Sequence, residues 1–238
     1  MSKKRRTSMI EHGSERGSVP FTRRRDRDRF YKKMSTEQHS LYDSIVRNVF
    51  TMCESRGGTG KTIVSFAAML QLLDEGKIDK VIYLQKCSAR YLEHGYLAGS
   101  LEEKTSAMFT PVYDALAALG ISPWEVESME DNQQLTLTTD SVLRGVNFER
   151  AGVILDESEN MDEETLRLIF TRCHDNCHVV MLGDSMQRDN SHWDNEDFID
   201  YGNYLVYKLG FSAGKVKLTQ NFRGTFSKVA EDYCRENG

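Results

Sequence analysis

Ser55-Arg56-Gly57-Gly58-Thr59-Gly60-Lys61-Thr62 is the stretch on which the fold turns. Before it, 48–53 is a β-prone run. After it, Ile63, Phe66, Ala67, Leu70 and Leu73 recur at helical spacing, with Gly76 as a natural stop. A glycine cluster between a strand and a helix, ending in Lys-Thr, is the context that a phosphate-binding P-loop requires. Gly57, Gly58 and Gly60 let backbone N–H groups, that of Thr59 among them, close around phosphate oxygens where a Cβ would collide. The helix starting near Lys61 turns its positive N-terminal end toward the same oxygens. Lys61 then reaches the β- and γ-phosphates as a point charge, and the Thr62 hydroxyl ligates Mg²⁺. The general pattern has Gly at its first position. Ser55 stands there instead, a residue that tolerates positive φ poorly, so a rearranged start to the loop is expected.

Outward from the loop, 81–84, 153–155 and 179–182 are short continuous apolar runs, as expected for strands buried on both faces of a parallel sheet. Residues 135–139 alternate and are β-branched, and a last strand is placed near 216–219. Helices are expected after Ser35, over about 101–119, near 162–172, and at the end, where Phe226, Val229, Ala230 and Tyr233 mark the face. Strands alternating with helices give an α/β protein with a mainly parallel sheet. The body, 34–238, reads as one domain.

Composition narrows the field. At 39% hydrophobic and 28% charged, with 3 Pro, the chain of 238 residues has the make-up of a water-soluble globular protein. No apolar run approaches the roughly 18 residues needed to span a bilayer. Lys3, Lys4, Arg5 and Arg6 are followed by no apolar stretch, so a secretory signal is not expected. Five cysteines at irregular spacing point to reduced thiols and a cytoplasmic setting. The net charge of −5 hides an asymmetry: residues 1–33 hold 12 Lys/Arg against 4 Asp/Glu, whereas the rest hold 19 against 32. The basic arm shows no apolar periodicity and is expected to be disordered when free. It reads equally as a nucleic-acid-binding arm and as a solvated tail.

The run 153–155 ends in Asp156 and Glu157. At the C-terminal end of a parallel strand these carboxylates face the crevice where ligands bind. Asp156 is placed to hold Mg²⁺, and Glu157 to orient and deprotonate an attacking water. A small-molecule kinase has no use for that second acid, so the pair favours hydrolysis. The run 179–182 leads into Gly183-Asp184-Ser185-Met186-Gln187, where Gln187 is a candidate sensor of the γ-phosphate and Asp184 a candidate link to bound nucleic acid.

With these motifs in place, the chain resembles the PhoH-like ATPases, a bacterial and phage family related to the N-terminal RecA-like domain of superfamily 1 helicases. The resemblance spans about 36–236. It includes 89–104 (ARYLEHGYLAGSLEEK), 110–116 (TPVYDAL) and 143–148 (LRGVNF). It implies a RecA-like P-loop NTPase fold with three layers, α/β/α. It also implies that Gln38 reads the adenine edge, and hence that the nucleotide is ATP. Gln220-Asn221-Phe222-Arg223 is similar to the segment that carries an arginine finger, so Arg223 is the candidate for meeting charge on the transferring phosphoryl group. A single RecA-like domain leaves the γ-phosphate face open, and the resemblance implies closure by a neighbouring subunit in a homo-oligomer, a hexameric ring; Arg223 acting in cis is the alternative. Glu159 stands where the family has Gln, and Val146 where it has a second Arg.

Two functions from different classes follow. The first is Mg²⁺-dependent ATP hydrolysis coupled, helicase-like, to RNA or single-stranded DNA. The second is an ATP-sensing nucleic-acid-binding switch that hydrolyses negligibly. Tyr201, Tyr204, Tyr207 and His192-Trp193 read either as base-stacking groups or as ordinary packing. Cys173-His174 and Cys177-His178 have ligand types at metal-like spacing, but with no second ligand pair they read as a turn rather than a zinc site.

Overall fold

Strand β1 (Phe50–Glu54) is buried along nearly its whole length, which a parallel sheet covered on both faces demands. The computed structural model describes residues 21–86, 108–140, 147–185, 197–226 and 229. Helix α1 (Phe21–Lys33) and helix α2 (Thr36–Arg47) precede β1, and α3 (Lys61–Asp74) follows it. Then come β2 (Lys80–Gln85), α4 (Thr110–Ala118), α5 (Pro123–Asp131), β3 (Leu135–Thr139) and β4 (Ala151–Asp156). The chain continues through α6 (Glu163–Phe170), β5 (His178–Gly183), α7 (Asp197–Leu209) and β6 (Ala213–Val216). The six strands lie in the order β3-β2-β4-β5-β1-β6, every pairing parallel.

Alternation along the strands sorts side chains into two apolar layers. Cys53, Tyr83, Ile154 and Val180 face one layer, shared with α2 to α5. Met52, Ile82, Leu84, Val153, Leu155 and Met181 face the other, shared with α6 and α7. The result is the expected three-layer α/β/α arrangement. Because the sheet is parallel, β1, β4 and β5 deliver their C-terminal ends to one edge: Glu54 pairs with Gly183, and Gln85 of β2 pairs with Asp156. That edge carries the site.

The structure changes several details of the expected outline. The stretch 21–33, expected to be disordered as part of the basic arm, forms α1. Its grip combines Phe30, packed against the core, with a buried Arg: Arg27 pairs with Asp74 and donates to Gln71 Oε1 at 3.2 Å, with the Arg27 and Asp74 side chains only 8% and 6% exposed. A long aliphatic stem buries like an apolar residue while its head stays paired. Tyr31 meets His39 and Tyr42 edge-on, which ties α1 to α2. Helix α5 is an addition, and the last strand lies at Ala213–Val216 rather than near 216–219. Among the described residues, no helix is long and apolar enough to cross a membrane.

Candidate nucleotide-binding site

The loop after β1 is built from two left-handed glycines. Gly58 has φ +75° and Gly60 φ +84°, conformations that other residues adopt only at a cost. Space gives a second reason. A Cβ on Gly60 would lie 2.7 Å from Gln38 Nε2, and one on Gly58 would lie 2.9 Å from Arg223 Cγ and Cδ. Ser55 is not among the positive-φ residues, so the loop needs no glycine there. Its hydroxyl, buried at 3% exposure, accepts from Leu218 N at 2.6 Å and meets Cys53 Sγ at 3.2 Å. Its amide donates to Gly183 O at 2.8 Å. The expected rearrangement at Ser55 is therefore replaced by an anchor that pins the loop to β5 and to the chain beyond β6.

Lys61 opens α3, and its ammonium donates to Ser55 O and to Arg56 O, the latter at 3.3 Å. It lies folded over the loop's own carbonyls. Thr59, buried, donates its hydroxyl to Arg56 O at 3.0 Å and accepts at its carbonyl from Gln38 Nε2, also at 3.0 Å. Gly57 N donates to Asp184 Oδ2 at 2.9 Å. Gln38 is the third residue of α2 and closes a capping box with Ser35, accepting Ser35 N on Oε1 at 3.1 Å.

Asp156 ends β4 in a cage of donors. Thr62 Oγ1 donates to its Oδ2 at 2.8 Å, Tyr83 OH to the same oxygen at 3.0 Å, and Glu157 N to Oδ1 at 3.0 Å. Glu157 turns away from the strand through a left-handed backbone, φ 51°, at the start of a short 3₁₀ turn. A non-glycine residue held there stores of the order of 1 kcal/mol, and such outliers gather at functional positions. Its carboxylate accepts from Gln85 Nε2 at 2.6 Å, and the residue is exposed. Glu159 is turned inward. Burial pushes its carboxyl up to about 8, although its Oε2 accepts from Asp184 N at 3.1 Å. At neutral pH it is largely protonated, and a protonated carboxyl offers one donor and one acceptor, much as an amide does. The departure from Gln is chemically small.

Arg223 arrives from the far end of the chain. Phe222 N donates to Gly58 O at 2.8 Å, Arg223 N to Asn221 Oδ1 at 2.8 Å, and the Arg223 stem lies against Gly58 of its own chain. Sequence reasoning missed Glu37. This residue accepts from Thr219 N at 2.7 Å, Thr219 Oγ1 at 2.6 Å and Gln220 N at 3.3 Å, and these bonds hold its carboxyl below the ordinary value. Nothing in the sequence distinguishes it from any acid in the first turn of a helix.

Of the remaining candidates, Gln187, His192-Trp193, 89–104 and most of 143–148 lie outside the described residues. Tyr201 stacks on Phe170 at 5.6 Å and serves packing, while Tyr204 and Tyr207 are 59% and 79% exposed. Lys208 Nζ stands 5.5 and 5.4 Å from their ring centroids. Cys177 Sγ donates to Phe148 O at 3.1 Å and Cys173 Sγ to Ile169 O at 3.6 Å, so both thiols are turned to backbone. Burial pushes the Cys173 thiol up to about 12. Among the described residues, no three His, Cys, Asp or Glu side chains converge on one point. The oxygens beside the loop are a different matter. Thr62 Oγ1 and the Asp156 carboxylate are hard donors held side by side, and one hydroxyl with one carboxylate suits a Mg²⁺ whose other ligands are phosphate and water.

A parallel sheet with a lysine-ended glycine loop after its first strand and an acid at the end of β4 defines a RecA-like P-loop NTPase fold. The chain belongs to the PhoH-like protein family, whose model matches residues 31–230. It is 27% identical to Protein PhoH of Escherichia coli (strain K12) over 184 residues, 77% of this chain and 52% of that protein. Protein PhoH2 of Bacillus subtilis (strain 168) is 27% identical, over 74% of this chain and 41% of that protein. The chain thus spans about half the length of these curated relatives. In fold it is similar to the large terminase of a thermophilic bacteriophage in complex with ADP, with a TM-score of 0.52 at 15% identity, covering 86% of this chain and 50% of that one.

Proposed function

We propose that this chain binds ATP with Mg²⁺ and hydrolyses it to ADP and phosphate, coupled to RNA or single-stranded DNA. One observation carries the reading: three remote segments each meet a different residue of one loop, Asp184 at Gly57, Arg223 at Gly58 and Asp156 at Thr62. In the reaction, Lys61 exchanges the carbonyls of Ser55 and Arg56 for phosphate oxygens. Glu157, steadied by Gln85, orients a water in line with the γ-phosphorus and takes its proton on a carboxylate oxygen. The water oxygen bonds the γ-phosphorus as the bond to the bridging oxygen breaks, ADP leaves with the electron pair, and Arg223 meets the charge that builds on the γ-oxygens. Mg²⁺, when bound, neutralises β- and γ-oxygen charge, and Thr62 and Asp156 are the residues to hold it.

Gln38 supports ATP as the nucleotide. One N–H serves Thr59 O and one lone pair serves Ser35 N, which leaves one donor and one acceptor of the amide for an adenine edge. The sensor role of Gln187 belongs to the same proposal. For nucleic acid, Tyr204 and Tyr207 with Lys208 between them form a face suited to stacked bases and a phosphate. The proposed homo-oligomer, a hexameric ring, closes the site from outside, while the contact of Arg223 with Gly58 favours the arginine serving its own chain's nucleotide.

The deciding experiment is phosphate release by the intact chain and by Glu157→Gln, with and without single-stranded RNA. The expected result is turnover by the wild type, raised by the strand, and a loss of roughly 10²-fold or more in the variant with ATP binding kept. Equal release from both would exclude Glu157 as the base, and negligible release from the wild type would leave the ATP-sensing switch.

A further inference from the structure

Helix α2 grips the site twice with adjacent side chains. Gln38 holds the loop through Thr59 O, and Glu37 holds the segment after β6 through Thr219 N, Thr219 Oγ1 and Gln220 N. Residues 219–223 form neither helix nor strand, and most of 219–226 is exposed. Glu37 supplies the anchor at its start. At its end Phe222 N bonds Gly58 O, and the Arg223 stem rests on the same glycine.

We infer that Glu37 is a positioning residue for Arg223: its carboxylate fixes Thr219 and Gln220 so that the following turn sets the guanidinium beside the glycine loop. Because Gln38 is the next residue on the same helix, the setting of the arginine is tied to the helix end proposed to meet the base. The inference rests on the reading of Arg223 as the group that meets γ-phosphoryl charge. A plain alternative exists for Glu37, since an acid in the first turn of a helix also stabilises it through the macrodipole. That role would affect stability and leave Arg223 where it is.

Two measurements on the full chain separate these roles. The first is amide hydrogen exchange without nucleotide. In Glu37→Ala and in Glu37→Gln, Phe222 N–H, which Glu37 does not touch, is expected to exchange about tenfold faster while the amides of β1 and β4 keep their wild-type rates. An unchanged Phe222 rate in both variants overturns the inference whether or not the protein turns ATP over. The second is a double-mutant cycle on phosphate release. Glu37→Ala is expected to lower kcat about tenfold with KM for ATP changed less than about threefold, and to add no further loss to Arg223→Ala. A Glu37→Ala chain with wild-type kcat, or one whose loss repeats in the Arg223→Ala background, overturns it. A wild-type chain that releases no phosphate overturns the proposed function instead, and the exchange result then still decides the placement of 219–223 by Glu37.

Discussion

Thr62 and Asp156 stand 94 residues apart in the chain and meet through a 2.8 Å hydrogen bond between the start of α3 and the end of β4. The bond aligns a hydroxyl and a carboxylate at the mouth of the glycine loop, the two oxygens proposed to share Mg²⁺. Thr62→Val keeps the volume and removes the hydroxyl, and Asp156 Oδ2 retains Tyr83 OH as a donor. The expected outcome is a loss of about tenfold, ~1.4 kcal/mol, in affinity for Mg-ATP, with affinity for ATP in excess EDTA changed less than about twofold. Titration calorimetry under the two conditions checks it.

Arg223 lies against Gly58 of its own chain, which predicts how mixed subunits behave. Chains carrying Arg223→Ala and chains carrying Lys61→Ala are each expected to lose at least about 10²-fold in phosphate release. An equimolar mixture, allowed to exchange subunits, is expected to show no more activity than the two measured separately. Recovery to about a quarter of the wild-type rate would place the arginine in a neighbour's site.

Glu159 gives a pH signature. Its carboxyl titrates at about 8 in the folded chain because burial disfavours its charge, against an ordinary 4.5. Between these values the unfolded chain has released the proton and the folded chain still holds it, so stability falls as pH rises through this window. Glu159→Gln removes the titration. Melting temperatures of variant and wild type are expected to coincide near pH 4.5 and to separate by a few degrees at pH 8, the variant higher, at roughly 2–4 °C for each kcal/mol recovered. A difference that is flat with pH would show that Glu159 is ionised in the native protein.

The Arg27–Asp74 ion pair is predicted to be the largest single polar support of helix α1. Arg27→Ala leaves Asp74 buried without its cation, and breaking a buried pair in this way costs about 3 kcal/mol. Urea unfolding is expected to show a lower midpoint at an unchanged slope. Deleting 1–20, which leaves α1 in place, is expected to leave the midpoint alone.

On the face proposed for nucleic acid, Tyr204→Ala and Tyr207→Ala are each expected to weaken single-stranded RNA binding by about tenfold, as loss of one stacking platform would. Fluorescence anisotropy across a salt series checks this and also tests the basic arm. The tyrosine variants are expected to keep the wild-type salt slope, while deletion of 1–20 flattens it if the arm touches phosphates.

The central strands and the loop were legible because burial on both faces writes itself as unbroken apolar runs, and because glycines with a terminal Lys-Thr leave few alternatives. The helix after Ser35 was legible through its cap, which the structure shows as a capping box with Gln38. Helix α1 was not, since Arg27 occupies an inward position where periodicity looks for an apolar residue. Helix α5 was missed because it is nine residues long with Trp124 exposed, although Ser122, Pro123 and Glu125 carry a start signal. Strand β6 was placed late. Its own Ala213-Gly214-Lys215-Val216 is weakly apolar, and the buried Leu218 beyond it drew the expected strand forward. In the site, Thr62, Asp156 and Arg223 could be named from spacing and resemblance. Ser55 and Glu37 could not be read correctly, because what each holds lies more than 160 residues away.

The left-handed turn at Glu157 sets two selective pressures against each other. Glycine would relieve the backbone there and leave a sturdier protein without the base that the proposed hydrolysis needs. A population screened only for thermal endurance would drift toward that silent form, whereas selection for the proposed hydrolysis would hold the acid in place.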